Sequence, residues 1–147
     1  MPYIRKAMSK IKFEVLGNPQ AQKRHEHHRR GEFVKVYDPS EEAKTNFLLT
    51  VQQYAPKTPI LGAIKLTVWF LMPRPKSHYG TGKNAGILKD DAPDWHTKRP
   101  DIDNYLKFIM DALGGRQIYW KDDSQVCSVI VQKLYHETPR TVVELDY

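Results

Sequence analysis

One run constrains this chain more than any other. From Ala63 to Met72, Ile64, Leu66, Val68, Phe70 and Met72 fall on one side of an extended strand, and Lys65, Thr67, Trp69 and Leu71 fall on the other. Apolar side chains on both sides exclude a strand with one wet face and place this one in the middle of a sheet. Flanking strands must come from elsewhere. Lys12 to Leu16 alternates, with Ile11, Phe13 and Val15 against Lys12 and Glu14, and Gly17-Asn18-Pro19 ends it. Phe33 to Tyr37 reads as a short extended piece. Gln125 to Tyr135 and Thr141 to Tyr147 read as two more strands, joined through His136 to Arg140 as a hairpin.

Two helices complete the pattern. Asp38-Pro39-Ser40-Glu41-Glu42 offers a cap, a first-turn proline and two acids that suit the helix dipole, and Phe47, Leu48, Val51 and Tyr54 follow at helical spacing. Asp101 to Leu113 reads as the second helix, closed by Gly114-Gly115, with Ile102, Leu106, Ile109 and Leu113 as its apolar stripe. Two stretches have no period. Gln20 to Glu32 is polar and basic and reads as a flexible loop within about residues 17–32. Pro73 to Pro100 is longer than an ordinary connection, which marks a functional or mobile loop. The expected fold is α+β: a single mixed sheet with helices packed on it, one domain over residues 1–147.

At 147 residues and 40% hydrophobic, the chain can build one core. Its 23 Lys and Arg against 17 Asp and Glu give a formal charge of +6, which points to a polyanionic partner, nucleic acid before anionic membrane. The single cysteine, Cys127, excludes an intrachain disulfide framework and a cysteine-rich zinc site; it reads as a plain buried thiol. No apolar run approaches the roughly 20 residues of a spanning helix. The first ten residues, MPYIRKAMSK, lack the apolar core of a signal peptide. The expectation is a soluble, cytoplasmic protein with no membrane partner.

The chemistry concentrates between Arg99 and Val126. Asp101 stands at a helix start, and Asp103, Lys107 and Asp111 share the polar side of that helix, with Asp103 and Lys107 one turn apart. Capping and surface decoration account for these residues as well as chemistry does. The next segment tips the balance: Asp122 and Asp123 lie side by side after Tyr119 and Trp120. Adjacent acids repel and are best tolerated beside a cation. Carboxylates converging from a helix start and a strand start make a hard oxygen site for Mg²⁺, or Mn²⁺, and a nearby lysine suits a phosphate. In a basic protein these are the parts of phosphodiester hydrolysis. A DNA-binding protein without enzyme activity is the competing class, but it has no reason to gather anions where phosphates approach. A carboxylate-pair glycosidase explains neither the basic charge nor Lys107.

Pro100-Asp101-x-Asp103-Asn104-x-x-Lys107, then Asp111-Ala112-Leu113, then Asp122-Asp123-Ser124-Gln125-Val126 resembles the signature of the RusA family of Holliday-junction resolvases. Gly17-Asn18-Pro19 followed by Lys23 and Arg24 is similar to the basic first loop of its phage-type members. The resemblance implies a dimeric, Mg²⁺-dependent endodeoxyribonuclease that resolves four-way DNA junctions by paired nicks in recombination and repair. It implies Asp101, Asp103 and Asp123 as metal carboxylates, with Asp122 beside them, and Lys107 as the essential lysine. Lys23, Arg24, Arg29, Arg30, Lys98 and Arg99 read as DNA contacts. The sequence departs from the family in the His-rich run His25 to His28 and in the insert from Ser77 to His96. A metal site at His27 and His28 is the weaker reading, because adjacent side chains diverge in extended backbone. Trp69 reads as core, Trp120 as packing below the acids, and Trp95 as either a loop cap or a residue that stacks on a base.

Overall fold

The computed structural model describes residues 9–147. The reading of the first residues as lacking an apolar leader falls largely on residues 1–8, outside the described residues. Six strands and two helices follow: β1 (Lys10–Leu16), β2 (Glu26–Arg30), β3 (Phe33–Tyr37), α1 (Glu41–Val51), β4 (Ile64–Pro73), α2 (Ile102–Leu113), β5 (Val126–His136) and β6 (Arg140–Asp146). Four strands form one mixed sheet in the order β1-β6-β4-β5, and β2 and β3 form a separate ribbon. The class is α+β, as the patterning indicates.

β4 sits between β6 and β5, antiparallel to the first and parallel to the second. Its two-faced apolar run earns that place. Ile64, Leu66, Val68, Phe70 and Met72 are buried in one core with Phe47, Leu48 and Val51 of α1 and Tyr105, Phe108 and Ile109 of α2. The register carries the core across the sheet: Phe13 faces Val143, Val143 faces Val68, and Val68 faces Val131. Trp69 lies on the opposite side, half-buried rather than in the core, with the Lys12 ammonium 5.8 Å from its ring centre.

Four local expectations change. β5 and β6 are not a hairpin: they flank β4, and residues 137–139 step over its end. Two strand spacings are roughly 10 Å, within reach of so short a link, and the arrangement pairs β4 on both edges. Within residues 20–32, Glu26 to Arg30 is a strand, paired with β3 from Glu26↔Tyr37 to Arg30↔Phe33. The buried stripe of α2 is Tyr105, Phe108, Ile109, Ala112 and Leu113, while Ile102 is exposed and Leu106 half-buried. Two aromatic contacts turn the helix this way: Tyr105 packs on Phe70 and Phe108 on Phe47, at 5.1 and 6.1 Å between ring centres. Cys127 is exposed, on the free edge of β5.

The long connection between β4 and α2 is built from short turns and fastened to the body. Arg74 holds the loop. It donates to the Pro93 carbonyl at 2.7 Å, faces Asp94 at 3.5 Å and stacks over Tyr135. Backbone bonds from His96 to Lys133 and from Tyr135 to Asp94 tie the loop to the C-terminal half of β5.

Candidate active site

Helix α2 organises the site. Asp101 is its N-cap residue, with extended backbone and no capping bond from its own side chain, so the carboxylate is left facing solvent. Asp103 is exposed in the first turn, where the helix dipole favours an anion, and accepts from the Asn104 N–H. The approach to Asp101 is pinned: the Lys133 ammonium donates to the carbonyls of both Lys98 and Pro100 at 2.8 Å. A cleft of about 610 Å³ opens here, lined by Trp95, His96, Lys98, Arg99, Asp101 and Lys133. Burial, then the Lys133 charge, hold the His96 imidazole below its usual range.

On the other flank of α2 lies a cleft of about 660 Å³, lined by Gln22, Lys23, Arg24, His25, His27, Asn104 and Lys107. Every ionisable side chain in that lining is basic. Two backbone bonds fix the segment opposite the helix: Gln22 N–H to the Asn104 carbonyl and Lys23 N–H to the Ser40 hydroxyl. The Ser40 hydroxyl is thereby diverted from capping α1. Lys107 thus lines the same cleft as the basic segment of residues 23–27, and Asp103 lies in the helix between Ile102, which lines the Asp101 cleft, and Asn104, which lines the basic one.

The C-terminal half of α2 borders a third cleft, of about 430 Å³, with His25, Asp38, Lys44, Asp111, Arg116 and Asp123 in its wall. Its centre is an ion triad. Lys44, with 9% of its side chain exposed, donates to Asp38 at 2.8 Å and to Asp111 at 2.9 Å. Burial pushes the Asp38 carboxyl up, but hydrogen bonds from Lys44, the Ser40 backbone and Gln22 outweigh it and hold the group at about 2. Burial alone would lower the Lys44 ammonium, and its two carboxylate partners raise it instead. None of this triad was expected as a unit. The sequence held a signal, since Lys44 precedes Phe47, Leu48 and Val51 on the same inward stripe of α1, where an unpaired lysine would be costly.

Asp123 accepts from the indole N–H of the fully buried Trp120 at 2.8 Å, which places that tryptophan beneath the acid as expected. Gly114 makes the approach possible: a Cβ there would lie 2.7 Å from the same carboxylate oxygen. Asp122 does different work. It accepts from the Ser124 N–H at 2.8 Å while the Gln125 side chain takes the Asp122 N–H, a reciprocal cap that starts the turn before β5. Those Ser124 bonds lower the Asp122 carboxyl.

The acids therefore do not meet within one chain. Asp101 and Asp123 stand at opposite ends of α2, roughly 18 Å apart along its axis at 1.5 Å per residue. Among the described residues, no three His, Cys, Asp or Glu side chains stand close enough to hold a metal ion. A single chain offers Asp101 and Asp103 at one end and Asp123 at the other, which is not a complete ligand set. The expected run of DNA contacts divides as well: Lys23 and Arg24 line the basic cleft, Lys98 and Arg99 line the Asp101 cleft, and Arg29 and Arg30 lie exposed on the ribbon.

The chain is 36% identical over 143 residues to the uncharacterized protein YqaN of Bacillus subtilis (strain 168), covering 92% of this chain and 95% of that relative. Among the described residues no helix is long and apolar enough to cross a membrane. Residues 17–146, which hold all three clefts, match the endodeoxyribonuclease RusA family, and the chain belongs to that family of nucleases acting on DNA.

Proposed function

We propose that this chain resolves four-way DNA junctions by paired, metal-dependent nicks, as a homodimer in the cytoplasm. The observation that carries the reading is the free carboxylate pair at the start of α2, flanked by Lys107 and a wholly basic cleft. Anions that meet no cation among the described residues, beside a phosphate-attracting surface, have a purpose when a divalent cation joins them to the phosphate.

A second copy supplies what one chain lacks. Residues 94–96 cover the C-terminal half of β5, but its edge from Val126 to Gln132 is open and uncharged, with Val129 and Ile130 exposed. An open, uncharged edge of this length is a template for pairing. Antiparallel pairing about a two-fold axis centred on Ser128 and Val129 carries the Asp122–Asp123 turn of one copy to the Lys133 end of the other. Asp101 begins α2 beside that end, so Asp123 of one copy completes the set of Asp101 and Asp103 of the other. Two such composite sites about one axis suit paired cuts in a two-fold junction.

Bound Mg²⁺ or Mn²⁺ would lower the pKa of a coordinated water and offset the charge developing on phosphorus. The protein's own residues do the rest. Lys107 donates to a non-bridging phosphate oxygen from the floor of the basic cleft, and Lys133 fixes the backbone that aims Asp101. Lys23 and Arg24 hold the flanking strand through its phosphates. Incubation of a synthetic four-way junction with Mg²⁺, and in parallel with EDTA, tests the reading. Symmetric nicks with Mg²⁺ alone are expected; binding without nicks under both conditions leaves a non-enzymatic DNA-binding protein.

A further inference from the structure

The β2–β3 ribbon is not used by the hydrolytic site. All ten of its strand residues are exposed, and Phe33 at its tip is 83% exposed. In an antiparallel ribbon, residues opposite one another share a face. Arg30 and Phe33 are opposed at the tip, Arg29 and Val34 one step below, and His27 and Val36 near the base. Arg29 and Arg30 thus come from β2, on opposite faces, and apolar side chains come from β3 on both faces, with Lys35 between them opposite His28 and Glu26 opposite Tyr37 at the foot. Neither face is a continuous apolar patch, so the ribbon does not present what a protein groove or a bilayer would cover. Gly31, at φ +63°, turns the chain over and leaves Phe33 foremost on one face.

The base of the ribbon runs without a break into the basic cleft, which His27 lines together with Lys23, Arg24 and Lys107. The foot of the ribbon is also held to α2: Asp38, directly after β3, is bonded to Lys44, and Lys44 to Asp111. A two-stranded ribbon of this length, roughly 17 Å, fits the DNA major groove, about 12 Å wide. From these features we propose that the ribbon is a DNA-reading arm. Its Arg29 and Arg30 grip phosphates while Phe33 inserts where bases are unstacked, at the branch point of the junction. The assignment rests on the proposed junction substrate and adds to it the residue that senses the branch. An aromatic ring opposite a cationic strand recognises the open face of a base, which a continuous duplex hides and a branch exposes.

The test uses the full chain in Ca²⁺, with a four-way junction carrying 2-aminopurine at the branch and a linear duplex of the same sequence. Wild type should raise the 2-aminopurine fluorescence on binding the junction. Phe33→Ala should abolish that rise and weaken junction binding by on the order of tenfold, with duplex affinity changed by less than about threefold. Phe33→Trp should retain the rise. Arg29→Ala should weaken both DNAs alike and reduce the salt slope by about one. Exposure of Phe33 predicts an unchanged thermal midpoint for the alanine variant. An unchanged rise and affinity in Phe33→Ala overturns the assignment. So does a shift in oligomeric state with both DNA readouts intact, which makes the ribbon a contact between chains. Where wild type does not prefer the junction, the junction reading itself fails, and the arm is judged on a bulged duplex: a Phe33-dependent rise there upholds insertion, and its absence ends it.

Discussion

At the start of α2 the carboxylates of Asp101 and Asp103 face solvent, held in place by backbone but, among the described residues, met by no cation. Three turns on, Asp111 is clasped by Lys44, and at the helix end Asp123 accepts from the Trp120 indole. The same side chain thus serves two purposes along one helix. At the far end the partners of the acids are structural, and removing Lys44 leaves the Asp38 carboxylate stranded where 14% of it is exposed. At the near end, among the described residues, no side chain partners the acids and Asp103 accepts only from the Asn104 N–H; exposed acids on a helix that also carries Lys107, in a +6 protein, are worth keeping only for what binds them. Partnering, rather than residue type, separates the two roles, except at Asp123. Its indole bond uses one oxygen and leaves the other to the surface, so it belongs to both ends of the comparison.

The strongest way to break this contrast is to remove charge at the near end. Asp101→Asn and Asp103→Asn should each abolish junction cleavage while junction binding in Ca²⁺ persists, because less negative charge in the groove does not hinder phosphate approach. Asp123→Asn should do the same although it lies at the other end of α2. Mixing Asp101→Asn chains with Asp123→Asn chains sharpens the point. With composite sites, each mixed dimer has one intact site and one doubly altered site, so the mixture recovers single nicks but few paired ones. With sites confined to one chain, every site lacks an acid and the mixture stays inactive.

Lys107→Ala comes next. Loss of one donor to the reacting phosphate should cut single-turnover cleavage by about 10²–10³. Junction affinity should fall far less, since one phosphate contact among many is a small share of binding. Near-wild-type cleavage would return Lys107 to surface decoration and remove the distinction between the two ends.

The far end should answer in stability. Lys44→Met strands Asp38 and Asp111, and a loss of about 3–5 kcal/mol in chemical denaturation is expected. The Asp38 carboxyl is depressed from 3.8 to about 2 in the folded chain. Its stabilisation, about 2 kcal/mol, is therefore present above pH 4 and disappears as pH falls from about 4 to about 2. Wild type should lose stability across that window, and Lys44→Met should lose less there, because the bond that depresses Asp38 is already gone.

How much of this was legible before the fold was known follows physical lines. β4 was readable because burial on both faces leaves an unmistakable run, and the acids of α2 were readable because their spacing is local. Only half of the ribbon was: Phe33 to Tyr37 read as extended, but its partner did not, because period-2 patterning is visible only when one side is apolar, and Glu26 to Arg30 is polar on both sides. The Lys44–Asp111 bond spans 67 positions and has no local trace. The separation of Asp101 from Asp123 was invisible for a related reason. Residues at a helix start and a strand start can share an end of the domain or not, and the path of residues 114–121, with Arg116 and Gln117 both at positive φ, decides it.

Asp122 gives the smallest effect and the finest test of the rule. Its carboxylate caps the turn before β5, accepting from Ser124 N–H, and an asparagine oxygen can accept the same bond. Asp122→Asn should therefore leave the thermal midpoint unchanged, whereas Asp122→Ala should lower it. If Asp122 is only a cap, the asparagine variant should cleave the junction at close to the wild-type rate. The alanine variant should lose somewhat more, because loosening the turn lets the neighbouring Asp123 carboxylate wander. If Asp122 ligates the metal, the order changes: both variants fail in cleavage, asparagine included, although asparagine leaves the fold unharmed. Thermal denaturation of the two variants beside single-turnover cleavage at saturating protein separates these outcomes. An asparagine variant that is stable but inactive would show that a capping acid can also be a functional one, and the partnering rule would then fail at the residue next to Asp123.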